Sequence, residues 1–144
     1  MHVHSILTVK GTAVATISPN ATLAEATAAL RDHGVGALVV SADGSTIVGI
    51  VSERDVVRAL AAHGGSTLGR AVSSAMSATV TTCRADDTVD RLMGEMTEKR
   101  IRHVPVVDDA GALAGIISIG DVVKARVGQL EIENNQLADY IQAR

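Results

Sequence analysis

The 144-residue chain is 47% hydrophobic and 20% charged, which allows a packed core and excludes a disordered chain. Its net charge of −3 argues against a general nucleic-acid-binding protein, because such proteins need a basic surface. Cys83 is the only cysteine, which excludes an internal disulfide, and no stretch reaches the roughly 18 apolar residues of a membrane span. Residues 1–10 also lack the long apolar run of a signal peptide. We therefore expect a cytoplasmic protein without nucleic-acid or membrane partners.

The chain repeats itself at a spacing of 66 residues. From position 14 to position 59, 12 of 46 residues are identical to the residue 66 positions later, without a gap. Because a unit of about 50 residues buries little surface alone, we expect two units packed face to face about a pseudo-two-fold axis. The predicted divisions are 1–62 for the first unit with its N-terminal segment, 63–78 for a linker, 79–127 for the second unit, and 128–144 for a C-terminal helical extension.

In chain order, each unit predicts a strand, a helix, two strands and a second helix, which places the protein in the α/β (α+β) class. In the first unit, Thr22 followed by Glu25 is typical of a helix N-terminus, and Gly34 is typical of a helix end. Ser52 then begins the second helix, and the equivalent helix pair of the second unit begins at Thr88 and Ser118. The strands are predicted at 37–40 and 47–51 in the first unit, and at 103–107 and 113–117 in the second.

The C-terminal segment predicts a continuation of the last helix with an apolar seam. Residues along the seam alternate spacings of four and three, namely Val123, Val127, Leu130, Asn134, Leu137 and Ile141. A short heptad pattern with one polar Asn is typical of a helix that contacts a second helix in register. The face could instead pack on its own domain; we favour a contact between subunits.

One strand-to-helix junction occurs twice, as residues 49–55 and again as residues 115–121. Both copies have the pattern Gly, two β-branched residues, Ser, any two residues, Asp. A helix N-terminus carries free N–H groups and partial positive charge, which suits a phosphate, while an Asp carboxylate can accept from two ribose hydroxyls. A Ser and an Asp at this spacing also cap a helix without any ligand. From the spacing alone, both interpretations stay open.

The segment Lys99–Asp108 concentrates positive charge within an acidic protein, because Lys99, Arg100, Arg102 and His103 fall within five residues. The equivalent segment of the first unit, residues 33–37, contains no Lys or Arg. A solvated basic loop before a strand is one explanation. The asymmetry between the units favours a loop in the second unit that meets an anion.

Other chemistry-bearing residues form no recognisable catalytic or metal motif. His2 and His4 stand at a terminus where a pair of histidines is usually incidental, and Cys83 is more typical of a small buried hydrophobe than of a redox thiol. No catalytic triad, Cys/His metal cluster, P-loop or dinucleotide-binding glycine motif occurs in the chain. The sequence therefore predicts no enzyme, no catalytic cofactor and no metal.

The repeated Gly-Ile-Val-Ser-x-x-Asp and Gly-Ile-Ile-Ser-x-x-Asp junctions, with Ile101-Arg-His-Val-Pro-Val-Val-Asp108 between them, resemble a pair of cystathionine-beta-synthase (CBS) domains. The resemblance extends from about Val14 to Arg126 and is to stand-alone bacterial proteins made of one such pair. It implies two βαββα units packed through their sheets. It also implies two clefts between the units that take AMP, ATP, NAD(H) or S-adenosylmethionine.

The same resemblance assigns residues from both units to each cleft. The first, here called the Asp55 cleft, would combine Ser52, Arg54 and Asp55 with Thr82, Cys83, Ile101, Arg102, His103 and Pro105. The second, the Asp121 cleft, would combine Ser118 and Asp121 with Thr16, Ile17, Val35, Gly36 and Ala37. Gly120 stands where Arg54 stands in the first unit, so the motifs bring no Lys or Arg to the Asp121 cleft. We therefore expect the Asp55 cleft to be the main site for a phosphate-bearing ligand.

Two functions follow as expectations. The first is a regulatory module that binds an adenine nucleotide, AMP first and NAD(H) or ATP next, and changes how the pair meets an unknown protein partner. The alternative is a dimeric adaptor or stress-response protein whose clefts stay empty. Both include a homodimer, which the resemblance and the C-terminal seam favour.

Overall fold

Two three-stranded sheets organise the protein, in a computed structural model that describes residues 1–143. The first unit contains β1 (Thr16–Ile17), α2 (Leu23–His33), β2 (Ala37–Val40), β3 (Gly49–Ser52) and α3 (Glu53–His63), after an N-terminal helix α1 (Val3–Lys10). The second unit contains β4 (Cys83–Arg84), α4 (Val89–Lys99), β5 (His103–Val107), β6 (Leu113–Ser118) and α5 (Ile119–Gln142). The predicted βαββα order is confirmed in both units.

The two sheets have the same topology. β2 is the central strand of the first sheet, parallel to β1 and antiparallel to β3, and β5 holds the same place between β4 and β6. The parallel neighbours are joined by α2 and α4, and the antiparallel neighbours by short turns. Thr22 and Thr88 cap α2 and α4, because each side chain accepts the N–H of the residue three positions later.

Both faces of each central strand are buried. In β2, Leu38 and Val40 belong to the first unit's core, whereas Val39 is fully buried on the opposite face of the strand. Pro105 holds the matching position in β5 and is also buried. A hydrogen bond of 2.8 Å from the Leu113 N–H to the Ser45 carbonyl links the two units. The sheets therefore pack on each other through the faces that turn away from the helices.

The segment that precedes each unit packs on the other unit. α1 packs into the core of the second unit through Val3, Ile6 and Leu7, and its backbone bonds to the chain just before α4. The connecting segment, residues 64–82, packs on the first unit, where Val72 is fully buried. Our sequence division placed residues 1–10 with the first unit, but the structure puts them on the second, because their apolar face completes that unit's core.

α5 extends well beyond the second unit. Its described residues form one helix of 24 residues, and the apolar members of the predicted seam are between 49% and 60% exposed. Within residues 1–143 nothing covers this face, so the alternative that it packs on its own domain is wrong. Among the same residues, none of the helices combines the length and apolar character that crossing a membrane requires.

Candidate functional site

The two repeated junctions form the same hydrogen-bonded cap. The Ser52 N–H donates to Asp55 Oδ2 at 2.9 Å, and the Asp55 N–H donates to Ser52 Oγ at 3.4 Å. At the start of α5 the matching distances between Ser118 and Asp121 are 2.9 Å and 3.2 Å. Each pair is a capping box, which satisfies two N–H groups that a helix start leaves unpaired. The capping interpretation of these residues is therefore confirmed.

Capping uses only one of the two oxygens of the Asp55 carboxylate. The hydrogen bonds that it accepts from Ser52 all go to Oδ2, and within residues 1–143 no donor reaches its Oδ1. The side chain of Asp55 is partly exposed. One carboxylate oxygen at the N-terminus of α3 thus remains able to accept a hydrogen bond from a ligand hydroxyl.

Two arginines were predicted for the Asp55 cleft, and two others line a concavity beside Asp55. Arg54 and Arg102 are exposed, and in the described part of the chain neither forms an ion pair. A concavity of about 330 Å³ opens beside Asp55, between α3 and the connecting segment, and Arg58 and Arg70 line it. These two arginines were missed by the sequence analysis. Arg58 could have been found, because it follows Asp55 by three positions and so shares its helix face.

The Asp121 cleft contains a cation that the sequence analysis missed. Lys10, the last residue of α1, places its Nζ 2.6 Å from Asp121 Oδ2 and 2.7 Å from the Ile116 carbonyl. The expectation that this cleft lacks a Lys or Arg holds for the motifs but not for the folded molecule. A helical pattern was available, since Val3, Ile6 and Leu7 are spaced as one helix face and a Lys-Gly pair follows.

These contacts set the ionisation of Asp121. Burial alone would raise its pKa, but the hydrogen bonds from Lys10 and Ser118 outweigh that effect, and the pKa lies below its ordinary value. Asp121 is therefore a carboxylate at neutral pH. It is held as an ion pair with Lys10, in contrast to Asp55.

His103 lies where the two units meet. A Cβ added to Gly36 would lie 3.1 Å from His103 Cε1 and 3.6 Å from Glu53 Oε1, so His103 and Gly36, which we assigned to different clefts, are neighbours. Burial lowers the pKa of His103, the Lys10 charge lowers it further, and Glu53 and Asp121 partly oppose them. His103 is thus neutral at pH 7 and can both donate and accept a hydrogen bond. A second concavity, of about 510 Å³, opens beside Gly36 and Glu53.

Four of the predicted site residues turn their side chains into the unit cores. Ile17 and Val35 pack on the first core, Cys83 lies within the second, and Ile101 packs against it. Burial raises the pKa of the Cys83 thiol to about 12, with Asp87 and Glu95 adding to the effect. The Cys83 side chain is thus directed away from the surface, whereas Val35 also lines the concavity beside Gly36.

The remaining predicted residues differ in their exposure. Thr16 pairs with Val39 and is exposed, as is Thr82 just before β4. Ala37 and Pro105 are buried. Residues 1–143 contain no group of three His, Cys, Asp or Glu side chains with metal-binding geometry.

Comparison with known proteins identifies both units. Residues 8–62 and 72–128 match the family model of the CBS domain. The structure aligns with that of the CBS-domain containing protein ATU1752 from Agrobacterium tumefaciens at a TM-score of 0.83 and 48% identity, covering 87% of this chain and 92% of that one. It aligns with the CBS domain protein PAE2072 from Pyrobaculum aerophilum, complexed with AMP, at a TM-score of 0.79 and 28% identity, covering 93% and 99%.

A curated relative is longer than this chain. The mitochondrial CBS domain-containing protein CBSX3 of Arabidopsis thaliana is 38% identical over 125 residues, which are 84% of this chain but 60% of that protein. The chain thus spans about three fifths of the length of this relative.

Proposed function

The chain belongs to the CBS domain family as a tandem pair of such domains, and from that premise we propose that it is a regulatory module that binds an adenine nucleotide without catalysing a reaction. AMP is the first candidate ligand, with NAD(H) or ATP next. The AMP complex of PAE2072, a pair of the same fold, supports an adenylate as the class of ligand. Ligand occupancy would change how the pair meets a protein partner, whose identity stays open.

One observation carries this proposal: the Asp55 carboxylate keeps a free oxygen at a helix N-terminus, among arginines that lack an ion-pair partner in residues 1–143. A ribose hydroxyl would donate to that oxygen. The phosphate would be drawn to the α3 N-terminus and to Arg54, Arg58, Arg70 or Arg102, because anions are stabilised at helix N-termini and by guanidinium groups. The Asp55 cleft is therefore the proposed main site.

The test is calorimetry with AMP on the wild type, Asp55→Ala and Asp121→Ala. Asp55→Ala should weaken AMP binding by about 1–3 kcal/mol, since it strands the ribose donors, while Asp121→Ala should cost much less. Asp139→Ala, on an exposed position of α5, is the matched control for the removal of a negative surface charge. Equal losses from the two Asp variants would contradict the preference for one cleft.

The second candidate function is a dimeric adaptor or stress-response protein that needs no ligand. The capping boxes favour it, because Ser52, Asp55, Ser118 and Asp121 cap their helices and so have a structural role that needs no ligand. Absence of AMP, ATP and NAD(H) binding to freshly purified protein would select this alternative. Native mass spectrometry of the same preparation would detect a nucleotide that co-purifies.

We also propose a homodimer, in which the α5 seam contributes to the contact. Two exposed stretches support this, namely the seam itself and the α3 residues Val57 and Leu60, which are 64% and 41% exposed. Exposed apolar patches usually mark contacts with other proteins. The seam spans fewer than three heptads, which is short for a dimer on its own, so helices of the CBS units should share the interface.

A further inference from the structure

Lys10 ties the end of α1 to the start of α5. Its ammonium donates to a side-chain oxygen of Asp121 and to the main-chain carbonyl of Ile116 at the same time. The two contacts span 111 and 106 positions of the chain. The Lys10 side chain is 31% exposed and that of Asp121 23%. The ammonium is therefore shielded in part from water while it bridges the two elements.

A fixed helix, and not a loose terminus, delivers this ammonium. Val3, Ile6 and Leu7 are buried in the second unit's core, and the N–H groups of Val3 and His4 donate to carbonyls of Asp87 and Ala85 at 2.9 Å. Leu7 lies one turn before Lys10 and packs so closely on β6 that a Cβ at Gly115 would lie 2.9 Å from its Cδ2. The position of Lys10 is thus set by packing that does not depend on its own charge.

Within residues 1–143, the first unit has no such cation at the equivalent place. Ile50 and Ile116 are equivalent in the repeat, but the Ile50 carbonyl accepts from the backbone N–H of Ser77 at 2.9 Å, whereas the Ile116 carbonyl accepts from Lys10. Asp55 receives its hydrogen bonds from Ser52 alone within residues 1–143, whereas Asp121 also receives the Lys10 ammonium. Each carboxylate thus accepts two hydrogen bonds at Oδ2 and none at Oδ1 within residues 1–143, but only that of Asp121 is paired with a cation.

We propose that Lys10 is an internal competitor for the Asp121 carboxylate: its ammonium pairs with the charge to which the ribose hydroxyls of an adenosine-type ligand would donate. This rests on the proposed function, in which that carboxylate is a ribose acceptor. A ligand enters the cleft only when Lys10 withdraws, so its apparent affinity is reduced by the fraction of molecules in which the ion pair is closed. The two clefts consequently fill in order, the Asp55 cleft first.

The experiment isolates the Asp121 cleft and removes the competitor. Asp55→Ala supplies the background, and Lys10→Met is added to it because Met keeps the aliphatic stem and loses both charge and donor. Adenosine and AMP are titrated by calorimetry. Loss of a charge-assisted hydrogen bond that competes with the ligand should tighten adenosine binding about tenfold, and AMP should bind at least as tightly as before.

Two controls protect the interpretation. Lys124→Met in the same background changes an exposed lysine of α5 and should leave both affinities unchanged. Lys10→Gln also loses the charge but retains a donor for the Ile116 carbonyl, so it replaces Lys10→Met if the methionine perturbs folding. It should change adenosine binding in the same direction. Thermal unfolding of each variant reports whether the fold is kept.

The outcomes of these titrations either support the inference or overturn it. Unchanged adenosine binding in the Lys10 variants overturns the inference. AMP binding by the wild type at Asp55 would in that case still support the proposed function. Weaker AMP binding with unchanged adenosine binding also overturns it, because Lys10 would then contact the phosphate. Adenosine binding that appears only after Lys10 is replaced supports it even if the wild type binds nothing. No binding to any variant rejects both proposals.

Discussion

Ser52 and Ser118 occupy equivalent positions in the repeat, but the aspartate carboxylates to which they bond have different neighbours. Asp55 bonds only to its own capping serine within residues 1–143, and Asp121 bonds also to Lys10. A capping carboxylate is already desolvated on one side and oriented by its N–H partners, so little further ordering is needed for it to bind a ligand. The same pair of residues thus serves helix capping and suits recognition of a ribose.

At Asp121, the lowered pKa predicts how stability depends on pH. The native pKa lies below the value of about 3.9 expected in the unfolded chain. The ionised carboxylate therefore stabilises the fold above that unfolded pKa, and the contribution is lost as pH falls through the native pKa. Because Lys10 supplies part of the lowering, Lys10→Met should destabilise the protein near neutral pH and much less in acid.

Urea unfolding of the wild type and Lys10→Met, from about pH 7 to about pH 3, measures this difference in free energy. Lys124→Met serves as the control, since Lys124 is exposed and forms no ion pair among residues 1–143. A difference between wild type and Lys10→Met that stays constant across the range would contradict the Lys10–Asp121 coupling.

At the scale of elements, two glycines allow the segments that precede the two units to dock on the edge strands. A Cβ at Gly49 would lie 2.5 Å from Met76 Sδ and 2.9 Å from the Ser77 carbonyl oxygen. A Cβ at Gly115 would meet Leu7 Cδ2 at 2.9 Å. Glycine is therefore required at Gly49, where the obstacle includes backbone, and is only favoured at Gly115, where the obstacle is the end of a side chain.

Gly49→Ala should accordingly destabilise the protein by about 1–3 kcal/mol, the usual cost of overpacking. Gly115→Ala should cost less, because the end of the Leu7 side chain is able to rotate away. Urea denaturation measures the free energy of unfolding of both variants.

Gly94 provides the matched control. It lies in α4, and a Cβ there would have no atom within 4 Å. Gly94→Ala should therefore stabilise the protein by about 0.5–1 kcal/mol, since Ala favours a helix interior. If Gly49→Ala were as stable as the wild type, the tight docking of the connecting segment on β3 would be wrong.

At the scale of the whole molecule, the two units share one buried interface between their sheets and leave helix faces exposed. Val39 and Pro105 are buried in that interface, whereas the seam of α5 has no cover within residues 1–143. A second copy of the chain would bury this face. The proposed homodimer follows from the contrast between the buried sheet faces and the exposed helix.

Removal of residues 129–144 should therefore weaken self-association and leave each pair folded, since residues 130–143 are exposed and residues 129–143 lie outside both cores. Sedimentation velocity at micromolar concentration compares the full chain with the truncated one. Leu137→Asp, on the seam, should act in the same direction, and Gln136→Asp, next to it and off the seam, is the control of equal charge. A monomeric full-length chain would refute the dimer, and an undiminished dimer after truncation would refute the role of α5.

The sequence by itself determined the repeat, the order of elements and the caps. These are local properties: Thr22, Ser52, Thr88 and Ser118 bond three residues ahead, and a helix or strand face appears as a short spacing of apolar residues. Ser52 and Asp55 were named for the same reason, because the motif that carries them is contiguous, whereas the second-unit residues of the Asp55 cleft were named from the family resemblance.

Only the tertiary structure decided where the preceding segments lie and which charges meet. α1 completes the core of the unit that is distant in sequence, Lys10 reaches Asp121, His103 lies against Gly36, and Arg70 joins Arg58 beside Asp55. A local pattern specifies which face of an element is apolar but not which distant surface will bury it. That choice depends on the shape of the assembled cores, and it determines which of the two capping carboxylates is paired with a cation.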